Sequence, residues 1–132
     1  MTDESKQARE AFVEYTKAFG RLDPAAVAHH FHIPSVMAVP GKMFAFNDQA
    51  DVERTYAQLM ADLPGRGYAR SELPNLKVQR LSDDMAVVTS VCIWRKADGT
   101  ELQRNGITYT LRKVNGTWKN LSALIHDAST YA

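Results

Sequence analysis

This sequence of 132 residues predicts an α+β fold in which helices lie over a curled antiparallel sheet. Three observations carry that expectation. An apolar stripe at helical spacing occupies the first 22 residues, Asp-Pro and Asn-Asp dipeptides mark further helix starts, and the chain after Gly67 alternates like strands between strong turn dipeptides.

The stripe runs through Ala8, Phe12, Tyr15, Phe19 and Leu22, in the three- and four-residue steps of an amphipathic helix spanning Asp3 to Phe19. Asp23 then acts as an N-cap and Pro24 takes the first helical position, where its missing N–H costs nothing. A short second helix is expected to about His30. Pro34, Pro40 and Gly41 punctuate two extended pieces, Ser35 to Val39 and Lys42 to Phe46. Asn47-Asp48 caps a third helix that buries Val52, Tyr56, Leu59 and Leu63 before Pro64-Gly65 stops it. Turns at Ser82-Asp83, Asp98-Gly99 and Asn115-Gly116 divide the remainder into a four-stranded meander, because Asn, Asp and Gly tolerate the positive φ of tight hairpins. No repeat or linker interrupts the chain, so residues 1–132 read as a single domain.

Composition narrows the function classes. A hydrophobic fraction of 45% and a charged fraction of 23% suit a globular protein, and a net charge of +1 supplies no field for nucleic acid or an anionic membrane. The most apolar run, Met85 to Trp94, is too short to span a bilayer, and the polar start lacks a secretory signal. A soluble cytoplasmic protein is the expectation. Cys92 is the only cysteine and reads as a small core or cavity-lining residue. No phosphate loop, dinucleotide fingerprint or serine elbow is present, so no cofactor is expected.

Two-residue hairpin loops would fix the registers: Val114 faces Thr117 and Ala97 faces Thr100, and side chains sort into two faces. One face receives Val88, Ser90, Cys92 and Trp94, then Gln103, Asn105, Ile107, Tyr109 and Leu111, then Trp118, Asn120, Ser122, Leu124 and His126. In this register Tyr109 stands across from Ser122, and His126 stands opposite Asn105. The other face receives Val87, Thr89, Val91, Ile93, Thr108, Thr110, Leu121, Ala123 and Ile125. A bulge in any of these long strands would swap the faces beyond it. Neither face alternates with charge, so both are expected to be covered, one by the helices and the other by a second copy of the chain. Val91, Ile93, Leu121 and Ile125 would form that dimer contact, with burial under the chain's own loops as the alternative.

Two stretches carry a family resemblance: Tyr15 through Leu22-Asp23-Pro24 to His30-Phe31, and Val114-Asn115-Gly116-Thr117-Trp118-Lys119. Together with the order of elements over nearly the whole chain, they resemble the nuclear transport factor 2-like superfamily. The resemblance implies a cone-shaped pocket between the helices and the concave sheet, with dimerisation through the sheet. It also implies that the mixed aromatic and polar face lines the pocket. The superfamily holds isomerases, dehydratases, cyclases and non-catalytic association domains, so the fold does not select a function.

The spacing of Tyr15 before Asp23 is similar to that of the oxyanion-binding tyrosine of ketosteroid isomerase. The same comparison puts Val39 where that enzyme has its general-base aspartate, which argues against proton abstraction by that route. Tyr15 is either an oxyanion donor or a core ring with a satisfied hydroxyl. His29, His30 and His32 match no metal motif, so no metal is expected; His30 could turn a buried imidazole toward the cavity. His126, on the expected pocket face, is an acid–base candidate beside its alternative as a hydrogen-bonded strand-end imidazole. The expected ligand contacts are therefore Tyr15, His30, Tyr56, Trp94, Tyr109, Ser122, Leu124 and His126, around a mostly apolar small molecule. The competing expectation is a dimerisation or adaptor domain with a vestigial pocket.

Overall fold

The computed structural model describes residues 3–131. Its elements run α1 (Asp3–Gly20), α2 (Pro24–Ala28), β1 (Phe31–Val39), β2 (Lys42–Phe46), α3 (Gln49–Met60), β3 (Tyr68–Glu72), β4 (Lys77–Ser82), β5 (Met85–Lys96), β6 (Glu101–Val114) and β7 (Thr117–His126). A single 3-10 turn, Ala128–Thr130, follows β7. Met1, Thr2 and Ala132 lie outside the described residues.

The helices begin where their caps dictate. The Asp23 carboxylate accepts from Ala26 N at 3.1 Å, and the Asp48 carboxylate accepts from Asp51 N at 2.8 Å, satisfying amide donors that have no partner within the helix. The α1 stripe buries Ala8, Phe12, Tyr15 and Ala18 against the sheet, while Phe19 and Leu22 pack at its margin. Each large apolar side chain removed from water contributes about 1.5–3 kcal/mol. From α3, Val52, Tyr56 and Met60 close the same core.

The strands form one curved, open mixed sheet in the order β2-β1-β7-β6-β5-β3. All pairs are antiparallel except β1 and β7, which run parallel, so the helix-laden first half of the chain is stitched to the meander by its last strand. The expected first strand of the meander is two strands. Pro74 cannot donate a ladder hydrogen bond, and the chain breaks there into β3 and β4, both of which pair with β5. Asn75 bridges the gap with its side chain, whose Oδ1 accepts from Val91 N at 2.8 Å and from Ser90 Oγ at 3.2 Å.

The β5–β6 register agrees with the sequence expectation up to Trp94, pairing Val88 with Tyr109, Cys92 with Asn105 and Trp94 with Gln103. Arg95 then pairs with Glu101 and the Lys96 N–H donates to the Thr100 carbonyl, so the loop has three residues and Ala97 does not face Thr100. The β6–β7 register agrees only near its hairpin. Val114 pairs with Thr117 and Leu111 with Asn120, but Thr110 pairs with Ser122, so Leu121 is the extra residue of a bulge. Beyond it every side chain of β7 changes face. Tyr109 pairs with Ala123, not with Ser122, and His126 pairs with Gly106, not with Asn105. Ala123 and Ile125 point inward; Ser122, Leu124 and His126 point outward, where the Ser122 hydroxyl lies 2.6 Å from that of Thr110 and His126 Nε2 lies 2.8 Å from the Thr108 hydroxyl.

The outer face changes accordingly. Ile125 leaves it for the cavity, and Val91 and Ile93 are only 3% and 4% exposed within the single chain. Part of the cover on this face is the C-terminal segment. Tyr131 bonds Thr108 through its hydroxyl at 2.5 Å and accepts from Asn75 Nδ2 at 2.8 Å through its carbonyl. Gly106 makes this possible, since a Cβ there would stand 2.6 Å from the Asp127 carbonyl oxygen and from the His126 ring. No helix among the described residues is long and apolar enough to cross a membrane.

Candidate functional site

The curl of the sheet under α1 and α3 leaves a cavity of about 410 Å³, within the range of about 300–1,000 Å³ usual for small-molecule sites. Along β6 the inward residues Leu111, Tyr109, Ile107, Asn105 and Gln103 pass from sealed to partly exposed, so one end of the cavity is closed and the other opens to solvent. The walls are apolar. Phe12 from α1, Met37 from β1, Ile107 and Ile125 surround the middle, and near the mouth Phe19 stacks on Trp94 with ring centres 5.8 Å apart.

Three tyrosines from three separate elements meet in the buried part. The Tyr15 hydroxyl on α1 lies 2.7 Å from the Tyr56 hydroxyl on α3 and 2.7 Å from the Tyr109 hydroxyl on β6. Phe31 and Phe46 pack beneath them, with the Phe31 ring centre 5.7 Å from that of Tyr15 and 5.5 Å from that of Tyr56. Burial dominates their acidity; the neighbouring phenols reinforce it at Tyr15, whereas at Tyr109 their hydrogen bonds oppose it. Tyr109 is pushed up to about 12, and Tyr15 and Tyr56 are held well above the ordinary tyrosine value. All three are neutral O–H groups near pH 7.

Counting protons defines what this cluster can do. Three hydroxyls carry three protons, and the two hydrogen bonds between them use two. One O–H is left, to donate between the Tyr56 and Tyr109 hydroxyls, which also interact, or to a further acceptor. If Tyr15 accepts from both neighbours, its own proton is the free one; otherwise the free proton sits at Tyr56 or Tyr109. A ligand oxygen that draws this proton meets a donor backed by a hydrogen-bonded chain, which strengthens it.

Other polar groups lie toward the opening. Asn105 faces the cavity with no side-chain hydrogen bond among the described residues, and Ser71 is 2.7 Å from the Tyr68 hydroxyl. Burial pushes the Cys92 thiol up to about 11, so it lines the wall as a neutral group. Arg66 donates to Gln103 Oε1 at 3.1 Å at the rim.

Of the residues that sequence reasoning placed at the site, Tyr15, Tyr56, Trp94 and Tyr109 line the cavity together. Ser122, Leu124 and His126 do not, because the Leu121 bulge turns them outward. His30 also lies outside the lining. Its imidazole is half-buried beside the Tyr15 ring, at 6.3 Å between centres, and burial lowers its pKa against the opposing charge of Glu14. Arg66 and Met37 were missed. A charged residue after Pro64-Gly65 reads as solvated turn, and Met37 as one apolar residue of a short edge strand. The swap in β7 did have a signal. Shifting that strand by one residue pairs Thr110 with Ser122 and the bulky Tyr109 with Ala123, a better match of polarity and size.

Comparison with known proteins bears on the fold. Residues 3–128 match a family described as NTF2-like protein (DUF6841). No curated protein matches in sequence. Among solved structures, an NTF2-like protein with a cystatin-like fold from Novosphingobium aromaticivorans is similar at TM-score 0.77 and 18% identity, covering 94% of this chain and 81% of that one. A protein of unknown function with a cystatin-like fold from Nostoc punctiforme is similar at 0.75 and 15%, covering 96% and 92%. A ketosteroid isomerase-like protein from Erwinia carotovora atroseptica is similar at 0.71 and 20%, covering 96% and 97%. These identities speak for shared architecture alone. With a match over nearly its full length and a cone of helices on a curved sheet, the chain belongs to the NTF2-like family DUF6841.

Proposed function

We propose that this domain binds a small, mostly apolar molecule through a carbonyl or hydroxyl oxygen that accepts the free proton of the Tyr15–Tyr56–Tyr109 cluster. The observation that carries the proposal is the proton count: three buried phenols share two hydrogen bonds in a cavity with apolar walls. A buried donor without a partner costs about 1–3 kcal/mol, so a ligand acceptor at that point is favoured beyond the burial of its apolar body.

The chemistry supports binding and polarisation of the ligand more than turnover. Proton abstraction needs a base, and the described residues lining the cavity include no carboxylate and no imidazole. The tyrosines and Cys92 are neutral acids near pH 7. The test uses 2-acetylnaphthalene, an aromatic ketone of suitable size. At 100 times its Kd a specific ligand stabilises the native state by about 2.7 kcal/mol, which raises the melting temperature by several degrees. No shift with this ketone or with 2-naphthol would favour the alternative, a domain that works through its outer surface.

Association of two copies through the outer sheet face is proposed alongside. Leu124 and Met85 are exposed apolar groups there, among small residues such as Thr89, Thr110 and Ser122. Light scattering at micromolar concentration should give the mass of two chains; the mass of one chain would end this proposal.

A further inference from the structure

Arg66 is the one charged residue among the described residues that line the cavity. Most other arginines of the fold are matched to carboxylates: Arg54 to Asp51, Arg70 and Arg95 to Glu72, Arg80 to Asp83 and Arg104 to Glu101. Arg66 has no such partner among the described residues. Its side chain makes one hydrogen bond, to the neutral amide oxygen of Gln103 at 3.1 Å, and a guanidinium has five N–H donors to offer.

The residue is also held in place. Its own N–H donates to the carbonyls of Asp62 and Leu63, both at 3.1 Å, which fixes the turn that follows α3. Gly67, at φ +86°, carries the chain onward, with the stem of Lys96 beside it. Gln103 orients the guanidinium at the mouth end of β6, six residues from Tyr109, or about 20 Å along the strand axis. Hydrogen bonds at both ends take up part of that span, so a ligand joining the two is longer than one naphthalene unit. The cavity is therefore polarised, with a hydrogen-bond donor in its buried part, apolar walls between, and an unpaired cation at its mouth.

We infer that the ligand is an amphiphilic anion. Its apolar body fills the cavity with a carbonyl or hydroxyl oxygen at the tyrosines, and a carboxylate at its other end pairs with Arg66. This inference rests on the reading of the cavity as a binding site and adds the charge of the ligand to it. A planar carboxylate matches the fork of the guanidinium, whereas a neutral ligand would leave Arg66 to water.

The experiment compares two probes that share one ketone and differ in charge, 4-(6-acetyl-2-naphthyl)benzoate and 4-(6-acetyl-2-naphthyl)benzamide, by calorimetric titration at low ionic strength. The carboxylate should bind the unmodified protein roughly fivefold more tightly than the amide, as expected for a partly exposed ion pair. In Arg66→Gln that preference should fall below about twofold, and salt should erode it in the unmodified protein. Equal binding of the two probes, or a preference that survives Arg66→Gln, overturns the anion inference and leaves the pocket reading standing. Binding of neither probe overturns both.

Discussion

Tyr15→Phe is expected to destabilise the domain by about 2–4 kcal/mol, more than Tyr56→Phe or Tyr109→Phe, each of which should cost about 1 kcal/mol. The asymmetry follows from connectivity. Tyr15 is the shared member of both hydrogen bonds, so removing its hydroxyl breaks two bonds and leaves the buried Tyr56 and Tyr109 phenols only each other as partners. Removing either outer hydroxyl breaks one bond and leaves the other pair intact. The phenylalanine ring keeps the packing against Phe12 and Phe31, so the difference isolates the hydroxyl. Urea unfolding midpoints at constant m-value measure it. Equal losses in the three variants would mean that the tyrosines do not act as one cluster.

The second large effect is alkaline destabilisation. An unfolded tyrosine ionises near pH 10, whereas Tyr109 is pushed up to about 12 by burial and Tyr15 and Tyr56 are also held well above the ordinary value. The folded state thus holds these protons longer than the unfolded state. Their contribution is fully present below about pH 10 and is lost as pH rises through 12, since the unfolded chain then binds fewer protons. For Tyr109 alone the difference corresponds to about 3 kcal/mol, and the other two act in the same direction. Phenolate absorbance at 295 nm should show three tyrosines silent until unfolding sets in. Ionisation of all five near pH 10 in a chain that is still folded would contradict the structure.

The sequence was most legible where local chemistry decides the outcome. The α1 stripe, the Asp23 and Asp48 caps and the Asn115-Gly116 hairpin all follow from spacing and turn preference, and the structure places them as expected. The site was half legible for the same reason. Parity along β5 and β6 puts Trp94 and Tyr109 inside, and the helical period puts Tyr15 and Tyr56 over them. The Leu121 bulge stops that reasoning, because a single extra residue inverts every later position of β7, and the better Thr110–Ser122 and Tyr109–Ala123 pairing that signals it emerges only when alternative registers are compared. His126 was thereby assigned to the wrong side of the sheet. The meeting of three hydroxyls is a tertiary fact as well. Tyr15, Tyr56 and Tyr109 are separated by 41 and 94 residues along the chain, and only the closed cone brings their oxygens together.

The central claim is that the tyrosine cluster has one proton to give to a ligand oxygen. Its most direct test is the carbonyl stretch of carbon-13-labelled 2-acetylnaphthalene bound to the protein, read by difference infrared spectroscopy. A ketone that accepts from the cluster should absorb at lower frequency than in an aprotic solvent, and at lower frequency than in a simple phenol solution, because the donor is backed by two further hydroxyls. A bound ketone absorbing at its aprotic frequency would show that the cavity holds the molecule by its apolar walls alone and that the proposed donor is not used.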